Sequence, residues 1–172
     1  NKQLNDERFN VLTSLLRLRQ ICCHPALVDG KLREAESAKV VALLDLLEPL
    51  MDEGHKVLVF SQFVTMLDLL RETVKEREWP HFYLAGSTEN RGELVKKFQA
   101  AKGGAVFLIS LKAGGFGLNL TAASYVVLFD PWWNPAVENQ AIDRTHRIGQ
   151  TSKVMAYRLL MRESIEQKIR AL

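Results

Sequence analysis

The feature that most constrains this chain is an alternation of short apolar runs with longer stretches of helical periodicity. The run Val57–Phe60 is apolar at every position, which is typical of a strand buried on both faces. Further strands are predicted at residues 82–84, 105–109, 125–129 and 154–159. Because helical patterns separate these strands, we predict an α/β fold with a mostly parallel central sheet covered on both faces.

Helical periodicity and capping residues predict where the helices lie. One helical pattern covers about residues 4–22, where Phe9, Leu12, Leu15, Leu16 and Arg19 share a face. A second helix is predicted after Ser37, and another over residues 89–100. The remaining predicted caps are Ser61, Asn134 with Pro135 at the first helical position, and Ser164 with Gln167 as a capping box.

Length and composition fit one globular domain with a substantial core. The 172 residues are 47% hydrophobic and 25% charged, and the formal net charge is +3. No apolar run approaches the roughly 20 residues of a membrane span, so we expect no membrane partner. The mild positive charge permits a polyanionic partner without requiring one.

The adjacent residues Cys22, Cys23 and His24 suggest a metal site at first sight. A structural zinc site needs four ligands at open spacings, and the other three histidines show no paired ligand spacing. We therefore expect no metal, and interpret the cysteines as two reduced, buried thiols of an intracellular protein.

A glycine-rich segment, residues 110–119, follows the predicted third strand. Three of its glycines fall within four positions, and glycine lets a backbone approach a ligand closely. Successive N–H groups in such a segment can bind an anion, and Lys112 adds a positive charge. The alternative is a glycine turn without a ligand.

A basic helix face is predicted in residues 140–150. Gln140, Arg144 and Arg147 fall at helical spacing on one face, and guanidinium groups suit phosphate because they bind it in a fork. The alternative is a solvated helix face on which Asp143 and Glu138 are neighbours of the arginines.

Two further segments follow predicted strands. Residues 130–135 place Trp132 and Trp133 between prolines, where a tryptophan either fills the edge of the core or stacks on a flat ligand. Ser87 and Thr88, followed by Arg91, either contact phosphate or cap a helix without any ligand.

The sequence contains no phosphate-binding loop of the form G-x-x-x-x-G-K-[ST]. The tetrapeptide 52–55, Asp-Glu-Gly-His, has the letters of a magnesium-binding acidic box, but a helical pattern precedes it and a strand follows it. We interpret it as a turn. The chain thus lacks the parts that hold a nucleotide for hydrolysis, while its arginine pair could act on a nucleotide held by another domain.

Together these segments resemble the motifs of Swi–Snf ATPases, the DNA-translocating branch of helicase superfamily two. Their order is the family's: residues 18–25 resemble a stretch near the start of the second lobe, 57–63 motif IV, 86–88 motif IVa, 110–120 motif V, and 140–150 motif VI in its D-R-x-H-R-I-G-Q form. One departure is Ala85, where the family usually has aspartate.

The resemblance implies a RecA-like three-layer lobe at residues 37–172, preceded by a helical lead-in at 1–36. It also implies that ATP and Mg²⁺ are held mainly by a separate N-terminal RecA-like lobe of a longer parent protein. Arg144 and Arg147 would then be arginine fingers, and Gln140 would line the ATP cleft. Other implied contacts are Gly115, Gly117 and Asn119 near ATP, and Gln62, Ser87, Thr88, Lys112 and Trp133 on DNA.

The function implied is ATP-dependent translocation on double-stranded DNA, and DNA-bound protein complexes are possible partners. We expect this lobe alone not to hydrolyse ATP. One alternative is a non-catalytic RecA-like module that binds nucleic acid or protein, although such a module has no use for arginine fingers. An RNA helicase lobe is a further alternative, which the form of motif VI disfavours.

Overall fold

A computed structural model describes residues 2–112, 118–132, 134–143 and 153–171 of the chain. The described residues form one sheet of five strands in the order β2-β3-β1-β4-β5, and every neighbouring pair is parallel. The strands are β1 (Lys56–Ser61), β2 (His81–Leu84), β3 (Ala105–Ser110), β4 (Tyr125–Leu128) and β5 (Met155–Arg158). The helices are α1 (Lys2–Cys23), α2 (Ala38–Asp52), α3 (Val64–Glu76), α4 (Arg91–Ala100), α5 (Pro135–Asp143) and α6 (Ile165–Ala171).

The sheet is covered on both faces, which confirms the predicted α/β fold of three layers. Alternate side chains of the central strands point to opposite faces, so Val57 and Val59 pack with α2 and α3 while Leu58 and Phe60 pack with α4 and α5. The strands are short and apolar at almost every position because neither face of the central strands meets water.

Helix α1 packs on the lobe only near its C-terminal end. Arg19, Cys22 and Cys23 are buried there, whereas Phe9 and Leu12, on the same predicted apolar face, are 70% and 65% exposed. Both cysteines are free thiols, as predicted, and burial raises the pKa of Cys23. Among the described residues, no cluster of three metal-binding side chains occurs.

His24 has a local structural role directly after α1. Its Nδ1 accepts a hydrogen bond of 2.9 Å from the backbone N–H of Ala26, which begins a short 3-10 turn over Pro25–Leu27. Within the described ranges, no helix is both long enough and apolar enough to cross a membrane.

Two of the predicted helix caps form as expected. The hydroxyl of Ser37 accepts from the N–H of Val40 at 3.3 Å, and Asn134 Oδ1 accepts from the N–H of Ala136 at 3.0 Å. The turn predicted at residues 52–55 is also present, because α2 ends at Asp52 and Gly54 has a positive φ of 80°.

The cap predicted at Ser61 is wrong. Ser61 is the last residue of β1, and Phe63 stands before α3 without a side-chain cap. The Ser61 hydroxyl is fully buried, so it needs a hydrogen-bond acceptor, and it donates to Asp130.

Two other helix starts differ from the predicted pattern. Helix α4 begins two residues late, because Asn90 adopts a left-handed conformation with φ 52° before it. At α6, Ser164 accepts from the N–H of Glu166, but Gln167 accepts from the N–H of Glu163 and not from that of Ser164. The reciprocal capping box is therefore displaced by one residue.

A buried ion pair fixes α6 against the sheet. Lys39 Nζ lies 2.6 Å from Glu166 Oε2, and it also donates to the carbonyl oxygen of Phe129 at 2.6 Å. Glu166 in turn accepts from the N–H of Met161 at 2.9 Å. The Lys39 ammonium group thereby joins helix α2 to the residue after β4 and to the start of α6.

We predict that Lys39→Met destabilises the chain strongly, because Glu166 is left buried without its cation. The free energy of unfolding in urea should fall by about 3–5 kcal/mol, and Glu166→Leu in the same chain should restore much of it. Arg33→Met is the control, because Arg33 pairs with Glu72 at the exposed surface and its loss should change little. An equal decrease in the free energy of unfolding for Lys39→Met and Arg33→Met would contradict the prediction.

A second prediction concerns the close approach of α2 to the segment before β3. A Cβ added at Gly104 would lie 2.8 Å from the carbonyl oxygen of Met51, so Gly104→Ala should lower the free energy of unfolding by about 1–3 kcal/mol. At Gly92 an added Cβ meets open space, and Gly92→Ala should leave the thermal midpoint unchanged or raise it. Equal thermal midpoints for Gly104→Ala and Gly92→Ala would contradict the prediction and show that the backbone at Gly104 can shift to accept a Cβ.

Candidate functional site

The carboxyl ends of the parallel strands bring the segments singled out in the sequence to one edge of the sheet. Segments after Ser61, Leu84, Ser110 and Leu128 all leave the sheet at this edge, which we call the strand-end site. Ligands of open α/β sheets bind at this edge because the connecting loops, rather than helix faces, meet there.

Asp130 is the buried centre of the strand-end site. Its carboxylate accepts from the Ser61 hydroxyl and, at 3.1 Å, from the backbone N–H of Gln62. Burial raises the pKa of Asp130, and the hydrogen bonds from Ser61 and Gln62, with the nearby charge of Lys39, oppose that rise. These contacts hold the segment after β4 against the end of β1.

Gln62, a predicted DNA contact, is half-buried and contacts the tryptophan-containing loop. Its side-chain Nε2 donates to the carbonyl oxygen of Pro131 at 3.3 Å. Arg19 from α1 donates to the same oxygen at 3.4 Å, and its guanidinium lies 5.8 Å from the ring centroid of Phe63. Burial lowers the pKa of Arg19, while the charge of Asp130 acts in the opposite direction.

The role of Arg19 in this site was not predicted from the sequence. The helical pattern puts Arg19 on an apolar face beside Leu15 and Leu16. An arginine on such a face is itself a signal, because a buried guanidinium requires acceptors. The loop before Trp133 is thus supported from β1 and from α1.

Ser87 and Thr88 have different environments after β2. Ser87 is exposed, whereas the hydroxyl of Thr88 accepts from the N–H of Ala85 at 2.9 Å and closes the turn. Arg91 also bonds within this turn, donating to the carbonyl oxygen of Gly86 at 3.2 Å. Neither hydroxyl residue is the residue before α4, because Asn90 occupies that position.

Lys112 and Asn119 lie on either side of the three glycines of the glycine-rich segment, and both are exposed. Asn119 Oδ1 accepts from the N–H of Thr121 at 3.4 Å. The predicted residues Gly115 and Gly117 lie outside the described residues, as do Trp133, Arg144 and Arg147. Gln140 is exposed on α5, while Ala141 packs into the core.

Glu138 does not belong to a solvated helix face, so that alternative is wrong for this residue. Its side chain is only 2% exposed. Oε1 accepts from the N–H of Trp132 at 3.1 Å, and Oε2 accepts from Arg158 Nε at 3.1 Å. Arg170 Nη1 approaches Oε2 to 3.9 Å. Helical periodicity alone does not predict that Glu138 is buried, because its partner Arg158 is distant in sequence.

The strand-end site therefore has two layers. An inner layer of buried polar groups, formed by Asp130, Ser61, Arg19 and Glu138, fixes the loop after β4. An outer layer of exposed groups, formed by Ser87, Lys112, Asn119 and Gln140, faces solvent. Hydroxyl, ammonium and amide groups of this kind bind phosphate and other anions.

The comparisons with known proteins identify the family. Residues 38–149 match the family described as Helicase conserved C-terminal domain. An ATP-dependent helicase of Mycoplasma pneumoniae is 43% identical over 171 residues, which is 98% of this chain and 16% of that protein. The chromatin-remodeling ATPase INO80 of Saccharomyces cerevisiae is 47% identical over 137 residues, which is 78% of this chain and 9% of that protein.

Solved structures agree with the sequence relatives. The C-terminal part of the Fun30 ATPase domain superposes with a TM-score of 0.76 at 37% identity, covering 91% of this chain and 53% of that one. The Sulfolobus solfataricus SWI2/SNF2 ATPase C-terminal domain also gives 0.76, at 36% identity, covering 94% of this chain and 66% of that one. The chain belongs to the helicase conserved C-terminal domain family, and it is a RecA-like C-terminal lobe of the Swi–Snf type.

Proposed function

We propose that this lobe is the second half of an ATP-dependent motor that translocates on double-stranded DNA. The chain spans 16% of the Mycoplasma pneumoniae helicase that it resembles, and a separate N-terminal RecA-like lobe would bind ATP and Mg²⁺. The observation that carries the proposal is the match of residues 38–149 to the helicase C-terminal domain family, within which Gln140 is exposed on α5 four residues before Arg144 in the sequence.

The proposed catalytic contribution of this lobe is a pair of arginine fingers, Arg144 and Arg147. Guanidinium groups keep their charge and stabilise the charge that develops on the transferring phosphoryl group. Gln140 and Asn119 would line the same cleft, together with the glycine backbone of residues 115 and 117. The lobe lacks a phosphate-binding loop, so it should not hydrolyse ATP by itself.

Two of the proposed DNA contacts, Ser87 and Lys112, lie in the outer layer of the strand-end site. Ser87 and Lys112 are exposed there and suit phosphate oxygens, and Thr88 is half-buried beside Ser87. Gln62 is half-buried directly after β1, where its Nε2 donates to Pro131, and it is proposed as a further phosphate contact. Trp133 would face the DNA from the loop that Gln62 supports. Phosphate contacts of this kind give salt-dependent binding with little sequence preference.

The domain limits and the cellular setting are part of the same proposal. Residues 37–172 would form the lobe and residues 1–36 a helical lead-in. INO80 is named a chromatin-remodeling ATPase, and a chain of the same family could likewise act on DNA-bound protein complexes inside the cell.

A non-catalytic RecA-like binding module is the second candidate. It would use the same outer layer to bind nucleic acid or protein without any part in hydrolysis. The presence of two arginines at helical spacing after Gln140 favours the motor, because a pure binding module needs no fingers for ATP.

We predict that Arg147→Ala in the full-length parent protein lowers duplex-stimulated ATP hydrolysis by about 10³-fold, because the transition-state charge loses a cation. Duplex binding should remain, as measured by fluorescence anisotropy. Arg33→Ala is the matched control, since Arg33 pairs with Glu72 at an exposed position. Equal hydrolysis in wild type and Arg147→Ala would remove Arg147 from the mechanism, and no hydrolysis in either would favour the binding module.

Lys112→Ala should weaken duplex binding to a similar degree for all sequences, because a phosphate contact carries no base information. The slope of log K against log salt concentration should fall by about 1. Lys102→Ala is the control, since Lys102 is exposed before β3 and so lies at the opposite edge of the sheet. An unchanged slope for Lys112→Ala would exclude Lys112 from the DNA surface.

A further inference from the structure

Glu138 is the point at which three separate segments meet α5. Its Oε1 accepts from the backbone N–H of Trp132 in the loop after β4. Its Oε2 accepts from Nε of Arg158 at the end of β5, and Arg170 of α6 lies 3.9 Å from the same oxygen. Both oxygens of one carboxylate are therefore used, and each holds a different part of the lobe.

These contacts connect the two functional surfaces of the lobe. Trp132 immediately precedes Trp133, the proposed DNA contact, and Glu138 lies two residues before Gln140 on the helix that leads to Arg144. A hydrogen bond of 3.1 Å between the Trp132 backbone and Glu138 joins the loop to the helix without any intervening side chain. The loop and α5 are therefore in direct contact through Glu138.

Stability alone does not account for a carboxylate at this position. Removing a carboxylate from water costs several kcal/mol, and apolar side chains of similar volume often stabilise a core as well or better. A buried charge instead fixes geometry, because it is tolerated only while all of its partners stay in place. Arg158, with 29% of its side chain exposed, is the nearer of the two cations paired with Glu138.

We infer that Glu138 is a positioning residue. It couples DNA contact at the loop after β4, which contains Trp132 and Trp133, to the placement of the proposed arginine fingers Arg144 and Arg147. This inference rests on the proposed motor function. When the duplex contacts the loop, the bond from Trp132 to Glu138 sets the orientation of α5, and the Arg158 contact keeps the carboxylate directed at the loop. Loss of this coupling lowers the stimulation of hydrolysis by DNA more than it lowers hydrolysis itself.

Glu138→Gln is a sensitive test because it keeps the shape and removes one acceptor. An amide has one oxygen and one NH₂ group, so the NH₂ group must face either the N–H of Trp132 or Nε of Arg158. Either arrangement puts two donors against each other, so one of the two hydrogen bonds of residue 138, to Trp132 or to Arg158, is lost. Glu72→Gln is the matched control, because Glu72 also accepts from an arginine but lies at the exposed surface of α3.

The experiment measures ATP hydrolysis by the full-length parent protein with saturating duplex DNA and without DNA, for wild type and both variants. We expect the ratio of stimulated to basal kcat to fall about tenfold in Glu138→Gln, within the range of coupling energies between linked sites. Glu72→Gln should keep the wild-type ratio. Circular dichroism and the thermal midpoint establish that each variant is folded.

An unchanged ratio in folded Glu138→Gln would overturn the inference, and so would an equal fall in both rates, which a purely structural role produces. If Glu138→Gln does not fold, Arg158→Met decides the matter, because it removes the donor to Oε2 of Glu138. The ratio must fall there too, and an unchanged ratio overturns the inference. A wild-type protein without any stimulation by duplex would overturn the proposed function and, with it, this inference.

Discussion

The hydrogen bonds to the Asp130 carboxylate determine how the functional edge of this lobe is built. They tie the end of β1, through Ser61 and Gln62, to the segment that leaves β4. Without an acceptor at residue 130, the buried hydroxyl of Ser61 and the N–H of Gln62 would lose the partner that they share. The loop that contains the tryptophans starts at this point, so these bonds fix where that loop leaves the sheet.

Buried charges of the lobe are concentrated at one end of the sheet. Asp130, Arg19 and Glu138 surround the loop after β4, and Lys39 with Glu166 lies against the last residue before it. Such groups contribute little net stability, because desolvation offsets their attraction. Their common location indicates that they restrict this edge to one arrangement, while the apolar central strands supply most of the stability.

The fold could be predicted from the sequence more fully than the site. Continuous apolar runs such as Val57–Phe60 identify strands because burial on both faces leaves a one-dimensional pattern. The inner layer leaves no such pattern: Ser61 resembles a helix cap and Glu138 a surface residue until Asp130 and Arg158, distant in sequence, are placed beside them. Candidate groups such as Lys112 and Gln140 could be selected from the sequence because they follow a strand or lie at helical spacing, and both are exposed.

The partial packing of α1 has a consequence for local opening of the backbone. Its first turns carry Phe9 and Leu12 into solvent, and the buried residues of the helix lie only at positions 19, 22 and 23. Helical segments without tertiary contacts are marginal in water, because each turn relies on its own hydrogen bonds. Amide hydrogens in the first half of α1 should therefore exchange with solvent far faster than those of β1 and β3. A steep increase in protection from hydrogen exchange along α1 would show which of its residues unfold cooperatively with the lobe.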